Sequence, residues 1–170
     1  GKKSVPNDLF FEEYFTRTAD SVLKTYGRGQ IKKAVLSFKD FLDSPPIQSA
    51  NNCPSEEHYA ICLKGKRVCG CSDPFGQIPW TTKHVKRLEK LISMFAKARE
   101  HDLVIRFGKP IADKYNDRTN ATLHVADSYW NTRNYTKART YYTKVRDVRM
   151  AQRVFIPKRV FNRFEAEDPD

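Results

Sequence analysis

The chain has 170 residues, 39% of them apolar and 30% charged, and a formal net charge of +11. Eleven Phe, eight Tyr and two Trp keep it out of the disordered class, and a domain of this size buries roughly 70% of its unfolded surface. No apolar run approaches the ~20 residues of a membrane span. No secretory leader is recognisable, and a chain opening on Gly1-Lys2-Lys3 is compatible with a mature or trimmed one. The charge points to acidic partners: an acidic protein face, a sulfated glycan, nucleic acid or an anionic lipid surface.

Asn7 or Asp8 can cap a helix from Leu9, in which Phe11, Phe15, Ala19, Val22 and Tyr26 recur at helical spacing. Gly27 and Gly29 end it. A second helix is expected from about Gln30 to Leu42, with Ile31, Ala34, Val35, Phe38, Phe41 and Leu42 on one face; Pro45-Pro46 stops it. Residues 44–80 differ in kind, holding five of the nine prolines and all four cysteines. They read as an ordered insertion, closed by cross-links or used for binding. Inside it, His58 to Cys71 suits a small β-hairpin turning at Gly65-Lys66, with Cys62 opposite Cys69.

A third long helix is expected from about Lys83 to Arg99, with Val85, Leu88, Leu91, Ile92 and Phe95 inward. Leu103 to Phe107 is ambiguous between strand and helix, and Gly108 and Pro110 interrupt it. Ile111, Ala112 and Tyr115 suggest helix afterwards, and Asn116 to Asn120 a polar turn. The clearest pattern runs from Ala121 to Val145: two helices joined by Asn131-Thr132-Arg133-Asn134. Leu123, Ala126, Tyr129 and Trp130 line the first, and Ala138, Tyr141, Tyr142, Val145 and Val148 the second. Small Ala126 and Ala138 would let the two approach closely. After Met150 the chain is basic and aromatic and is broken by Pro157; the acidic tail at 165–170 is expected to fray. The expected fold is one mainly α domain, 1–170, of about five or six helices packed as antiparallel hairpins, with the 44–80 insertion.

Tyr129, Arg133, Tyr135, Ala138, Tyr142 and Val145 fall where a tetratricopeptide repeat carries its aromatic, glycine, aromatic, alanine, aromatic and small apolar positions. Arg133 stands where that family prefers glycine, and Val145 where it prefers alanine. Gly29, Ile31, Ala34, Phe38, Phe41, Leu42 and Pro46 show the spacing of the second half of such a repeat, although Thr25 replaces an aromatic in the first. The two stretches, which cover under half the chain, resemble tetratricopeptide-like helical hairpins. The resemblance implies a helical scaffold binding a peptide in a groove lined by Tyr129, Tyr135 and Tyr142, although these rings read more simply as core.

Cys53, Cys62, Cys69 and Cys71 allow three pairings. The hairpin favours Cys62 with Cys69 and Cys53 with Cys71, which would place the chain in an oxidising, extracellular compartment. Free thiols, and with them a cytoplasmic or nuclear location, are the alternative. A zinc site is disfavoured because the closest pair is C-x-C. Asn120-Ala121-Thr122 and Asn134-Tyr135-Thr136 are glycosylation sequons in predicted polar turns. His58, His84, His101 and His124 show no metal-ligand spacing and read as surface or capping residues; a cysteine–histidine nucleophile would need Cys62 and His124 to meet in space. With no phosphate loop or nucleotide fingerprint, neither an enzyme nor a cofactor is expected.

Lys137, Arg139, Lys144, Arg146, Arg149, Arg153, Lys158, Arg159 and Arg163 crowd the last third, against Asp147 alone. Arg133, Lys137 and Lys144 can share a helical face, and Lys64, Lys66 and Arg67 crown the predicted cysteine hairpin. Such rows suit phosphate or sulfate groups, with arginine giving bidentate contacts. As exposed charges they should contribute little to stability. The expectation is a non-catalytic, basic helical binding protein docking an acidic protein or sulfated glycan. A nucleic-acid-associated protein and a tetratricopeptide-like scaffold are the alternatives.

Overall fold

The computed structural model describes residues 7–43 and 82–169. The cysteines, the predicted β-hairpin, and Lys64, Lys66 and Arg67 lie outside the described residues. Within them the chain is mainly α, with seven helices and no strand. These are α1 (Asn7–Gly27), α2 (Ile31–Asp43), α3 (Thr82–Lys97), α4 (His101–Lys114), α5 (Thr119–Asn131), α6 (Tyr135–Gln152) and α7 (Lys158–Glu165). They fall into two compact units, divided between His84 and Val85. No described helix is long and apolar enough to cross a membrane.

The first unit is the hairpin of α1 and α2. Phe15, Ala19 and Val22 of α1 and Ala34, Val35, Phe38 and Phe41 of α2 are buried, as their three- and four-residue spacing requires. In the second unit α4 packs on α5, α5 on α6, and α6 on α7. Ala112, Leu123, Val125, Ala126, Tyr129, Ala138, Tyr141, Tyr142, Val145 and Val160 form one apolar cluster across those four helices. Ala126 and Ala138 are both fully buried. Beside them the Tyr129 and Tyr141 rings stack at 5.7 Å. Helix α3 meets α4 through Phe95 and Phe107, whose rings lie 6.1 Å apart.

One turn recurs at the helix ends. Gly29, Arg99, Arg133 and Arg153 all have left-handed φ, at 81°, 61°, 65° and 57°. The amide of the residue after each reaches back to a carbonyl five positions earlier. The pairs are Gln30 to Thr25 at 3.3 Å, Glu100 to Phe95 at 2.9 Å, Asn134 to Tyr129 at 2.8 Å and Val154 to Arg149 at 3.1 Å. That bond satisfies one of the orphan carbonyls at a helix C-terminus. In three cases the next helix starts two residues after the left-handed one, at Ile31, His101 and Tyr135. Three residues further on, Ala34, Val104 and Ala138 are each fully buried. Among the described residues the chain thus makes the same helical hairpin three times.

The middle copy, α3–α4, departs from the expectation for its region. The LVIRF segment is helical, and α4 runs through both Gly108 and Pro110. Pro110 is exposed, so water can replace the amide hydrogen bond that a proline removes. Gly108 is buried and is a packing device. A Cβ added there would sit 2.7 Å from Val125 Cγ2 on α5 and 3.7 Å from Ile92 Cγ2 on α3. The missing side chain lets three helices converge.

Two further differences lie near the C-terminus. The segment past Pro157 is a helix, α7, anchored by fully buried Val160. The acidic tail is tied down: Arg139 Nη2 donates to the Ala166 carbonyl at 2.7 Å, and Nη1 pairs with Asp168 at 2.5 Å. An arginine in α6, 27 residues before Ala166, was not evident as its partner from sequence order.

Replacing Gly108 with Ala sets a helix-propensity gain of about 1 kcal/mol against overpacking of about 1–3 kcal/mol. Because the contacted methyl belongs to stiff, buried Val125, we expect net destabilisation of about 1–2 kcal/mol in chemical denaturation. In a double-mutant cycle, Gly108→Ala with Val125→Ala should cost less than the sum of the single changes.

Candidate functional site

A groove of about 400 Å³ opens in the second unit, lined by α3, the start of α4, α5 and α7. Helix α3 contributes Ser93, Ala96 and Lys97, and α4 contributes His101. Helix α5 contributes His124, Asp127, Ser128 and Asn131, which recur every three or four residues and so share one face. Arg159 and Arg163, one turn apart, come from α7.

Asp127 is the centre of this arrangement. Arg159 grips it with two parallel bonds, Nε to Oδ1 and Nη2 to Oδ2, each 2.9 Å. Arg163 Nη1 donates to Oδ1 at 3.2 Å, and the Tyr142 hydroxyl donates to the same oxygen at 2.5 Å. Arg163 Nη1 also donates to Tyr142 Oη at 2.6 Å. The bond to Asp127, with the carboxylate charge itself, raises the Arg159 pKa above its ordinary value. The Tyr142 hydroxyl is likewise pushed up, first by burial and then by donating to Asp127. Two imidazole–hydroxyl pairs bridge other helices across the groove. Ser93 Oγ and His124 Nε2 lie 3.4 Å apart, and His101 Nδ1 and Ser128 Oγ 3.1 Å apart. Burial lowers the His124 pKa; nearby Arg159 and Arg149 act in the same sense and Asp127 against it.

The expected basic face is largely consumed by internal contacts. Arg149 is buried rather than exposed. Its Nε donates to Thr119 Oγ1 at 3.0 Å, its Nη2 to Asn120 Oδ1 at 2.8 Å and its Nη1 to the Phe155 carbonyl at 3.3 Å. It therefore fixes the α6–α7 connection to the start of α5. Burial, followed by nearby Arg159, lowers its pKa. Asn120 consequently lies in the first turn of α5 with its side-chain carbonyl engaged, and not in a free turn; Asn134 is exposed in the α5–α6 turn.

Arg139 also donates Nε to the Arg163 carbonyl at 3.1 Å and lies over the Trp130 ring. Lys144 Nζ donates to the Ala112 carbonyl. Arg146 pairs with neighbouring Asp147 and covers the Phe164 ring at 4.5 Å. Lys137 lies 5.6 Å from the Tyr129 ring centroid. Arg133, Arg153 and Lys158 are exposed.

Of the candidate tyrosines, Tyr129 and Tyr142 are buried core; Tyr135 is half-buried beside Trp130, with ring centroids 4.8 Å apart. His84 is buried rather than a surface residue, and His101 and His124 face the groove. Among the described residues no cluster of His, Cys, Asp and Glu has the arrangement of a metal site. Sequence reasoning had placed Arg159 and Arg163 in a basic row but missed Asp127, Ser93, Lys97, Ser128 and Asn131 as their companions. The available signal was the polar face of α5 at His124, Asp127, Ser128 and Asn131, opposite its apolar stripe. No known protein family, curated protein or solved structure matches the chain.

Two outcomes follow from these contacts. Arg149→Glu removes three donors from a buried site, so we expect a loss of about 2–4 kcal/mol; Arg146→Glu, by contrast, should change stability by less than about 1 kcal/mol. Urea titration of both variants measures the difference. His124 has a folded pKa below its unfolded value near 6.5. Its contribution is therefore present above that value and is lost as the pH falls through the folded one. Thermal midpoints between about pH 7 and about pH 5 should fall less steeply for His124→Gln than for the unaltered chain.

Proposed function

We propose that this chain is a non-catalytic helical-hairpin binding module that takes an acidic segment of a partner protein in the groove between α3, α5 and α7. The supporting observation is the charge balance of that groove: Arg159 and Arg163 face it and share Asp127, the sole carboxylate among its lining residues. A concave site with excess positive charge attracts acidic ligands and enhances their encounter rate. The resemblance to tetratricopeptide repeats supports the same use. Arg99 and Arg133, equivalent in the recurring turn, lie 34 positions apart, the length of that repeat. Stacked helical hairpins of this kind present an extended concave binding surface. On this reading the binding surface consists of polar side chains from alternate helices, while Tyr129 and Tyr142 support it from the core.

Fluorescence anisotropy with a labelled Glu-rich peptide tests the proposal. Ser93→Glu with Lys97→Glu places two negative charges in the groove without touching the anchors of α7. It should weaken the peptide by roughly tenfold or more with helix content unchanged. Arg146→Glu with Arg153→Glu should leave peptide affinity intact. The opposite pattern, with the outer pair alone abolishing binding and also retention on duplex DNA, would overturn the proposal and favour nucleic acid on the outer face.

A further inference from the structure

The exposed large apolar side chains of the second unit gather near its C-terminal end. Met150 lies in the last turn of α6, Val154 and Phe155 in the connection to α7, and Phe161 and Phe164 on α7 itself. Phe155 is 80% exposed. The backbone that carries it is nevertheless fixed. The Val154 amide donates to the Arg149 carbonyl at 3.1 Å, and buried Arg149 donates Nη1 to the Phe155 carbonyl at 3.3 Å. Ile156, the next residue, packs inward against the core cluster. The connection is thus a ridge held from below with its aromatic side chain outward.

The flanking helices extend the ridge. Arg146 of α6 lies over the Phe164 ring of α7. Met150, one turn on from Arg146, and Phe161, one turn before Phe164, therefore lie on the same side of the α6–α7 pair. Arg159 and Arg163 occupy the other flank of α7, with buried Val160 between. The ridge and the groove are separate surfaces of one short helix.

Charge selects the occupant. Between Asp147 and Glu165 the chain carries no carboxylate, and Arg153 and Lys158, on either side of Phe155, are exposed. Charged residues, lysine above all, are depleted from the centres of protein interfaces, so an aromatic tip between two cations suits a protein partner poorly. It suits a membrane surface, where apolar side chains enter the headgroup–acyl boundary while Lys and Arg meet anionic headgroups. We propose that this ridge docks the chain on an anionic phospholipid bilayer. Val154 and Phe155 enter the boundary, Met150 and Phe161 broaden the contact, and Arg153 and Lys158 hold the headgroups.

Co-sedimentation of the full chain with phosphatidylcholine vesicles, with and without about 30% phosphatidylserine, tests the proposal. Binding should require phosphatidylserine. Phe155→Ser should weaken it roughly tenfold or more, and so should Arg153→Glu with Lys158→Glu. All three positions are exposed, and circular dichroism checks that the variants are folded. In Phe155→Trp, vesicles with brominated acyl chains should quench more emission than in the unaltered chain. Equal binding of Phe155→Ser and the unaltered chain, or an added tryptophan that bromine does not quench, would mean that net charge alone draws the chain to the vesicle and would overturn the proposal. Absence of binding to either vesicle would overturn it too. Sedimentation velocity showing a dimer that Phe155→Ser dissociates would then assign the ridge to a second copy of the chain.

Discussion

The second unit depends on one carboxylate. Asp127 sits on α5, receives a hydroxyl from α6 and two guanidinium groups from α7, and so fixes three helices at a single point. The arrangement makes sense for a helix as short as α7, whose eight residues could not remain helical alone. Val160 gives α7 one buried apolar contact, and Asp127 supplies the polar ones. Partial burial makes these charge-assisted bonds stronger than surface ion pairs, while the exposed ends of both arginines still face the groove. The interaction that completes the fold therefore also shapes the candidate site.

The helices themselves follow from local rules. Each of the three hairpins places apolar residues at helical spacing, turns on a left-handed residue, and buries a small or β-branched side chain early in the second helix. Close approach is then set by Ala126 and Ala138 in one pair and by Gly108 where α4 meets α5. Buried Arg149 plays a different part. It joins segments that the apolar core does not reach, and three hydrogen bonds compensate the desolvation of its charge.

The parts of this structure set by local periodicity were legible in the sequence. The α1–α2 hairpin and the Ala121–Val145 hairpin could be read from the spacing of Phe15, Ala19, Ala34, Phe38, Ala126 and Ala138. Helix α4 could not, because Gly108 and Pro110 are helix breakers by propensity, and only the surrounding packing reveals that one is a close contact and the other lies exposed to solvent. The groove was less legible still. Its members come from four helices, and a charged residue looks the same in sequence whether it solvates a surface or grips a carboxylate. Arg149, Arg159 and Arg146 were indistinguishable in the basic row, although one is buried, one faces the groove and one covers an aromatic ring. The aspartate that sorts them precedes Arg159 by 32 residues, too far for any helical spacing rule.

The left-handed turn residues have an electrostatic consequence. Glycine would adopt that conformation without strain, yet Arg99, Arg133 and Arg153 occupy it in the second unit. Each stands just past a helix C-terminus, where the aligned peptide dipoles present partial negative charge. A cation there is favourable by about 0.3–1 kcal/mol, which offsets part of the backbone penalty. Two of the three hairpins carry such a cation at the turn, Arg99 and Arg133, which stand 34 positions apart in the chain and are both exposed. The helix ends thus carry a spaced row of positive charge that the interior contacts do not consume, a source of long-range field distinct from the groove.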